Sequence, residues 1–277
     1  MMDDTPLHAL LTIVAGVATG VLSAAFGVGG AVLSTPAIRL LGVSAAFAVG
    51  TTLPSILPSA ATGTWRYTRE RLVRWRVVAW TTPPGALAAV GGSLLSQEVP
   101  GKGHWLMILT AALLGVTAWR MARSAPPRTE VPPAPEAEQS AAPAHLPPSD
   151  AREHPAVLAA VGTAAGLLSG LLGVGGGIVL VPGFTEAARI PIKPAIATSL
   201  VCVGLFAVPA TLAHSHVGDI DWRTAVLLSV GVVPGARLGA HLAVRASEAR
   251  LRRAVAAFMG IVAVAYALSE ATALAPG

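Results

Sequence analysis

The stretch Gly16-Val-Ala-Thr-Gly20-Val-Leu-Ser23-Ala-Ala-Phe-Gly27-Val28-Gly29-Gly30-Ala-Val-Leu-Ser-Thr-Pro36 decides how this chain folds. Its glycines, serine and proline return in Gly162-Thr-Ala-Ala-Gly166-Leu-Leu-Ser169-Gly-Leu-Leu-Gly173-Val174-Gly175-Gly176-Gly177-Ile-Val-Leu-Val-Pro182, a constant 146 residues later. Downstream, Thr51-Thr52-Leu53 faces Thr198-Ser199-Leu200 and Trp75-Arg76 faces Trp222-Arg223, both at an offset of 147. A register held this long marks an internal duplication, two halves of one transporter-like unit.

The surroundings of the motif are apolar. Of 277 residues 53% are hydrophobic and 12% charged, about half the charge of an ordinary soluble domain. No Asp, Glu, Lys or Arg occurs from Thr5 to Ile38, and similar gaps run from Leu40 to Trp65, Val77 to Gln97, Gly103 to Trp119, His154 to Thr185 and Pro194 to Gly218. A membrane helix needs about 20 mostly apolar residues, so the composition predicts an all-α polytopic membrane protein in the lipid bilayer. It excludes a disordered chain and argues against a soluble enzyme. The net charge of +5 reflects basic cytoplasmic loops and points to no nucleic-acid partner. Cys202 is the single cysteine, so no intrachain disulfide forms. The start Met1-Met2-Asp3-Asp4 lacks the basic region of a cleaved leader, and the first apolar segment is expected to be retained.

Three segments follow: a first transmembrane repeat (1–123), a linker (124–155) and a second repeat (156–277). The linker holds 9 of the 22 prolines together with Glu130, Glu136, Glu138, Asp150 and Glu153, a composition that predicts disorder.

The first uncharged run, 34 residues from Thr5, would be about 51 Å long as one straight helix. The hydrocarbon core is about 30 Å thick, so the run must fold back, and Gly27-Val28-Gly29-Gly30 is the place. Gly173-Val174-Gly175-Gly176-Gly177 does the same in the second half. Glycine accepts the backbone angles of such a break, and a break at membrane depth survives only inside protein or beside a polar cavity. The short helix after each break turns its unsatisfied N–H groups and positive dipole end toward that point, which favours an anion. Two readings of the break glycines stand: an anion site, or close helix packing alone. For Gly16-xxx-Gly20 and Gly162-xxx-Gly166 packing is preferred.

Charge asymmetry predicts topology. Arg66, Arg69, Arg71, Arg74 and Arg76 crowd one loop of the first half, whereas its counterpart in the second half holds only Arg223. The next loop reverses the bias, with Lys102 alone against Arg245, Arg250, Arg252 and Arg253. If basic loops face the cytoplasm, equivalent loops lie on opposite sides and the repeats are of inverted topology. Each half then holds about five helices, broken at the Gly-rich motifs. The first two form the hairpin around the glycines, and both termini lie outside. This arrangement puts 15 Lys and Arg inside and 3 outside, with Arg237 in the membrane.

Arg237 is the clear charge within an apolar helix and is a candidate to neutralise an anion. A structural role, snorkelling to the nearby face, is the alternative. His241, one turn later, is a weaker candidate as a proton carrier. Thr51, Thr52, Thr198 and Ser199 recur at matched positions and offer hydroxyls to an oxyanion or back to their own helix. Ser23 and Ser169 precede the breaks. His214, His216, Asp219 and Asp221 resemble a metal set in composition but are expected to be solvated groups of an external loop, and no metal or cofactor is assigned. The tryptophans near helix ends read as interfacial anchors.

The duplicated glycine segment followed by proline resembles the sulfite exporter TauE/SafE family, also called the toluene sulfonate uptake permeases. The matching residues are Gly16, Gly20, Gly27, Gly29, Gly30 and Pro36, then Gly162, Gly166, Gly173, Gly175, Gly176, Gly177 and Pro182. Thr51-Thr52-Leu53, Thr198-Ser199-Leu200 and Pro234-Gly235-Ala236-Arg237-Leu238-Gly239 look like its later motifs. Ala31 departs from the pattern where the second half has Gly177, and Pro83-Pro84-Gly85-Ala86-Leu87 has no counterpart of Arg237. The resemblance implies a multi-pass permease of the bacterial inner membrane for sulfite or an organosulfonate. It further implies a secondary carrier working by alternating access, with proton coupling as an option. Substrate-binding candidates are Gly27, Gly29, Gly30, Gly173, Gly175, Gly176, Gly177, Thr51, Thr52, Thr198, Ser199 and Arg237. The alternative cargo is another small anion or a metal ion, and pairing as a homodimer stays open. An intramembrane enzyme is excluded on the residues: the fourteen acids lie outside or at the margins of the apolar runs, and no nucleophile has a partner base there.

Overall fold

The computed structural model describes residues 6–40, 45–96, 111–112, 115–120, 123, 154–172 and 175–274. Residues 124–153, where most of the expected linker falls, lie outside them, as do Gly173, Val174 and Lys102. Among the described residues the fold is entirely helical. The first half contains α1 (Pro6–Phe26), α2 (Ala31–Leu40), α3 (Ala45–Arg69) and α4 (Trp75–Ser96), and residues 115–120 are helical too. The second half contains α5 (Pro155–Leu172), α6 (Gly177–Pro182), α7 (Ile192–Val217), α8 (Trp222–Arg245) and α9 (Glu248–Leu274). A single π-helical turn, Gly183–Ala187, continues α6.

Three described helices, Pro6–Phe26, Ile192–His216 and Trp222–Arg245, are long and apolar enough to cross a membrane. The outer surface fits that environment: Leu7, Leu87, Val226 and Ile261 are exposed. Arg69 stacks on exposed Trp65, 3.9 Å from the ring centre, at the end of α3, as an interfacial anchor should. Prolines stand inside α3 (Pro54, Pro58), α4 (Pro83, Pro84), α7 (Pro209) and α8 (Pro234). Membrane helices tolerate them because neighbouring groups satisfy the freed carbonyls.

Packing exchanges elements between the halves. α1 lies along α8, and α4 lies along α5. The small-residue spacing of the sequence explains why. A Cβ on Gly16 would strike the Leu228 backbone and one on Gly20 the Val232 backbone, while Gly231, Gly235 and Gly239 meet Ile13, Val17 and Val21. In the other pair Gly162 meets Thr81, Gly166 meets Gly85 and Gly170 meets Ala89. Backbones approach this closely only where side chains are missing, which is how apolar helices associate in lipid. Numbers rise together along both pairs, so each is parallel. The first helix of each half therefore packs on the fourth helix of the other.

α3 and α7, the matching third helices, run antiparallel: Gly50 lies beside Asp219, Ala60 beside Gly204 and Gly63 beside Leu200. α7 is the axis of the core, with residues 194–203 all buried.

Candidate functional site

Each glycine motif breaks its helix. α1 ends at Phe26, and the Gly27 N–H donates to Ser23 O at 2.8 Å. Gly27 and Gly29 hold φ of 67° and 80°, where an L side chain is strained. α2 then restarts, with the N–H groups of Leu33 and Ser34 both donating to Gly30 O at 3.1 Å. In the second half Gly175 has φ 72°. The Gly177 N–H donates to Gly175 O, and those of Val179 and Leu180 donate to Gly176 O.

The two breaks abut. A Cβ on Gly29 would sit 3.0 Å from Gly175 O and 2.8 Å from Val203 Cγ1, and one on Gly177 would press on the Gly27 and Val28 carbonyls. Gly27, Gly29, Gly30, Gly175, Gly176 and Gly177 are all buried. The expected polar cavity is therefore not an open space here. The reason is geometric: with no Cβ on either side, the two backbones close onto each other. Beside this junction the described residues form a crevice lined by Thr19, Ser23, Gly29, Gly30 and Phe258, among others, too narrow for a water molecule. Ser59 Oγ donates to Ser23 Oγ at 3.0 Å, and Tyr67 Oη donates to Ala24 O at 2.5 Å. The crevice wall thus carries the hydroxyls of Thr19 and Ser23 next to the start of α2, among the apolar side chains of Leu22, Val28, Val32, Leu33 and Phe258, and Ser59 backs Ser23 from behind. In the second half Ala165 stands at the position of Thr19 and Phe206 at that of Ser59, so those two hydroxyls have no counterpart there.

The matched hydroxyls serve the interface between the halves. Thr51 Oγ1 accepts the Asp221 N–H at 2.9 Å, and Thr198 Oγ1 accepts the Arg74 N–H at 3.1 Å. Donors and acceptors are both related by the offset of 147. Each threonine, fully buried, holds the loop that opens the fourth helix of the opposite half. Ser199 Oγ donates to Gly27 O at 2.9 Å and to Ile196 O at 2.9 Å, tying α7 to the first break. Thr52 Oγ1 donates to Val49 O at 3.0 Å and lies 3.3 Å from Thr35 Oγ1. Ser199 thus adjoins the glycine junction, whereas Thr51 and Thr198 are engaged with loops.

Arg237 is exposed on α8, off the Gly231–Gly235–Gly239 stripe that faces α1. His241 is half-buried on the same helix. Neither lines the crevice. An arginine inside an apolar run suggests the interior, but the glycines at 235 and 239 take the inward face and turn residue 237 outward.

The His214 to Arg223 segment departs from its expected state as a solvated external loop. α7 extends to Val217 and closes on left-handed Gly218 (φ 81°), whose N–H donates to His214 O. His214 is buried, 6% exposed, with Nδ1 2.8 Å from Asp219 Oδ2. Asp221 caps α8: its side chain accepts from the N–H groups of Arg223 and Thr224 and from Thr224 Oγ1, a standard use of an aspartate at a helix start. Sequence reasoning missed the crevice hydroxyl of Thr19 and that of Ser59, which bonds to Ser23 behind the crevice wall. Their spacing from Ser23, one turn on α1 and a different helix, carried no signal by itself.

The family model described as sulfite exporter TauE/SafE matches residues 12–266. A probable membrane transporter protein of Xylella fastidiosa (strain 9a5c) is 28% identical, covering 94% of this chain and 93% of its own. A probable membrane transporter protein of Methanocaldococcus jannaschii is 24% identical over 91% of this chain and 92% of its own. The probable membrane transporter protein YjnA of Bacillus subtilis is 24% identical, covering 87% of this chain and 92% of its own. No solved structure matches.

Proposed function

The chain belongs to the sulfite exporter TauE/SafE family, and on that premise we propose that it carries sulfite or a small organosulfonate across the bacterial inner membrane by alternating access. It is a membrane transport protein and not an enzyme. The observation that carries the proposal is the crevice between Thr19, Ser23 and the Gly29–Gly30 backbone, placed at the junction of the two breaks. Hydroxyls and the first turn of α2 suit an oxyanion, and the breaks supply backbone free of side chains.

The two halves are inverted-topology repeats in this reading. Antiparallel α3 and α7, the exchanged first helices and the matched Thr51 and Thr198 bonds support it. Transport separates the breaks on one side at a time, so that the crevice widens toward one face and then the other. In the present arrangement Gly29 lies against Gly175 and Ser199 is bonded to Gly27, so the junction of the breaks is closed.

Purified protein in proteoliposomes tests the proposal with labelled sulfite and an alkyl sulfonate, alongside phosphate and a divalent metal ion. Saturable flux of the sulfur anions, with a raised KM in Ser23→Ala, is expected. Flux of phosphate or metal without flux of either sulfur anion overturns it.

A further inference from the structure

The crevice beside the glycine junction has two unlike sides. One carries the hydroxyls of Thr19 and Ser23, 1% and 2% exposed, and the backbone of Gly29 and Gly30. The other carries Leu22, Val28, Val32, Leu33 and Phe258. No charged side chain stands among the described residues that line it. Taking an ion out of water is unfavourable, and the cost rises with the square of its charge. A wall with hydroxyls and no cation therefore suits a monoanion better than a dianion. Sulfite is partly dianionic near neutral pH, whereas a sulfonate carries one charge and an organic group on the same sulfur. An oxyanion held at the hydroxyls has that group against the hydrocarbon side.

Phe258 is what α9 contributes to the hydrocarbon side. Leu251, Val255, Met259 and Val262 are buried on the inner face of α9, at helical spacing. Phe258 stands at the edge of this face, half-buried, and reaches the first break. Its ring centre lies 5.0 Å from that of Phe26, with the planes tilted by 36°, a favourable separation for an aromatic pair. Phe26 is the last residue of α1, so the Phe258 ring is seated where the helix stops. The neighbouring residue anchors α9, since Met259 Sδ accepts the Thr117 hydroxyl at 3.7 Å. The offset of 147 puts Ala111 at the position of Phe258, and the offset of 146 puts Leu172 at that of Phe26. The second half has no such aromatic pair at these positions.

We propose that Phe258 is a specificity-determining residue, whose ring ends the apolar side of the crevice and limits the carbon tail that a transported sulfonate can carry. The proposal rests on the carrier reading of the same crevice. When transport widens the crevice, the tail lies along Leu22 and Leu33 and ends at the ring. Each methylene that fits should improve affinity about fourfold. The first one that does not fit should lower it about tenfold or more.

Proteoliposomes give KM for sulfite and for the straight-chain series from methanesulfonate to hexanesulfonate. KM does not depend on the amount of folded protein. In the parent protein it should fall along the first members of the series and then rise sharply. Phe258→Ala should shift that rise by about two carbons or more. It should leave KM for sulfite and methanesulfonate within about twofold, since neither reaches the ring. Phe258→Leu, closer in volume, should shift the rise by less, and it keeps the α9 face filled if the alanine variant folds poorly. Ser23→Ala should instead raise KM for every member and leave the rise at the same length. A parent KM independent of tail length, or a rise at the parent length in both Phe258 variants, overturns the assignment of Phe258 while the carrier reading stands. Absence of flux for every sulfur anion overturns the carrier reading and this inference with it.

Discussion

Gly29→Ala should damage the protein at the junction that defines the carrier. Gly29 has φ 80°, and holding alanine in that region costs about 1–2 kcal/mol. The added methyl would lie 2.8 Å from Val203 Cγ1 and 3.0 Å from Gly175 O. The valine rotates away more easily than the carbonyl, and overpacking of this kind costs typically 1–3 kcal/mol. Together the loss comes to about 2–5 kcal/mol. The matched control is Gly91→Ala on α4, where a Cβ meets nothing within 4 Å. There alanine should stabilise by about 0.4–1 kcal/mol. Reversible unfolding in detergent gives both values, and sulfite flux in proteoliposomes gives the functional consequence. If Gly29→Ala lies within about 0.5 kcal/mol of the parent protein, the two breaks do not pack as described and the argument from their apposition fails.

Other outcomes follow from the same contacts. Thr51→Val and Thr198→Val each remove the acceptor of one backbone N–H, so each should destabilise by about 1–3 kcal/mol. The pair should add, because the bonds lie at opposite ends of α3 and α7; denaturation of the double variant measures it. Arg237→Gln, on an exposed position, should leave the KM for sulfite within about twofold of the parent, since uniform binding energy lost there would appear in KM. A periplasmic-active reporter fused after Gly277 should be active if the repeats are inverted as proposed, and a cytoplasmic-active reporter should be silent.

Much of the architecture is legible in the sequence. An uncharged run too long for one crossing located the break near Gly27 to Gly30, because helix rise and bilayer thickness leave no other solution. The four-residue spacing of Gly16 and Gly20, and of Gly162 and Gly166, announced backbone contact, since only hydrogen fits between helices that close. The partners of those glycines were not legible. Nothing local in α1 says that its face is α8 rather than α4. For the same reason the hydroxyls of Thr51 and Thr198 stood open between an oxyanion and their own helix, and their bonds to loops 170 and 124 residues away carried no local signal. The exposed placement of Arg237 was not legible either, because hydropathy measures how apolar a helix is and not which way it is turned. His214 misled because a polar cluster after an apolar run reads as a loop, whereas α7 carries His214 a full turn further into the protein.

The exchange of first helices has a consequence for how the protein is made. α1 enters the bilayer at the start of synthesis, yet its glycine face is matched by α8, which leaves the ribosome some 200 residues later. Until then Gly16 and Gly20 face lipid or a chaperone-like insertase, and the first half has no complete interior of its own. Expressed separately, each half should be degraded; expressed together, the two fragments should rescue one another, as pieces of a single cooperative assembly do.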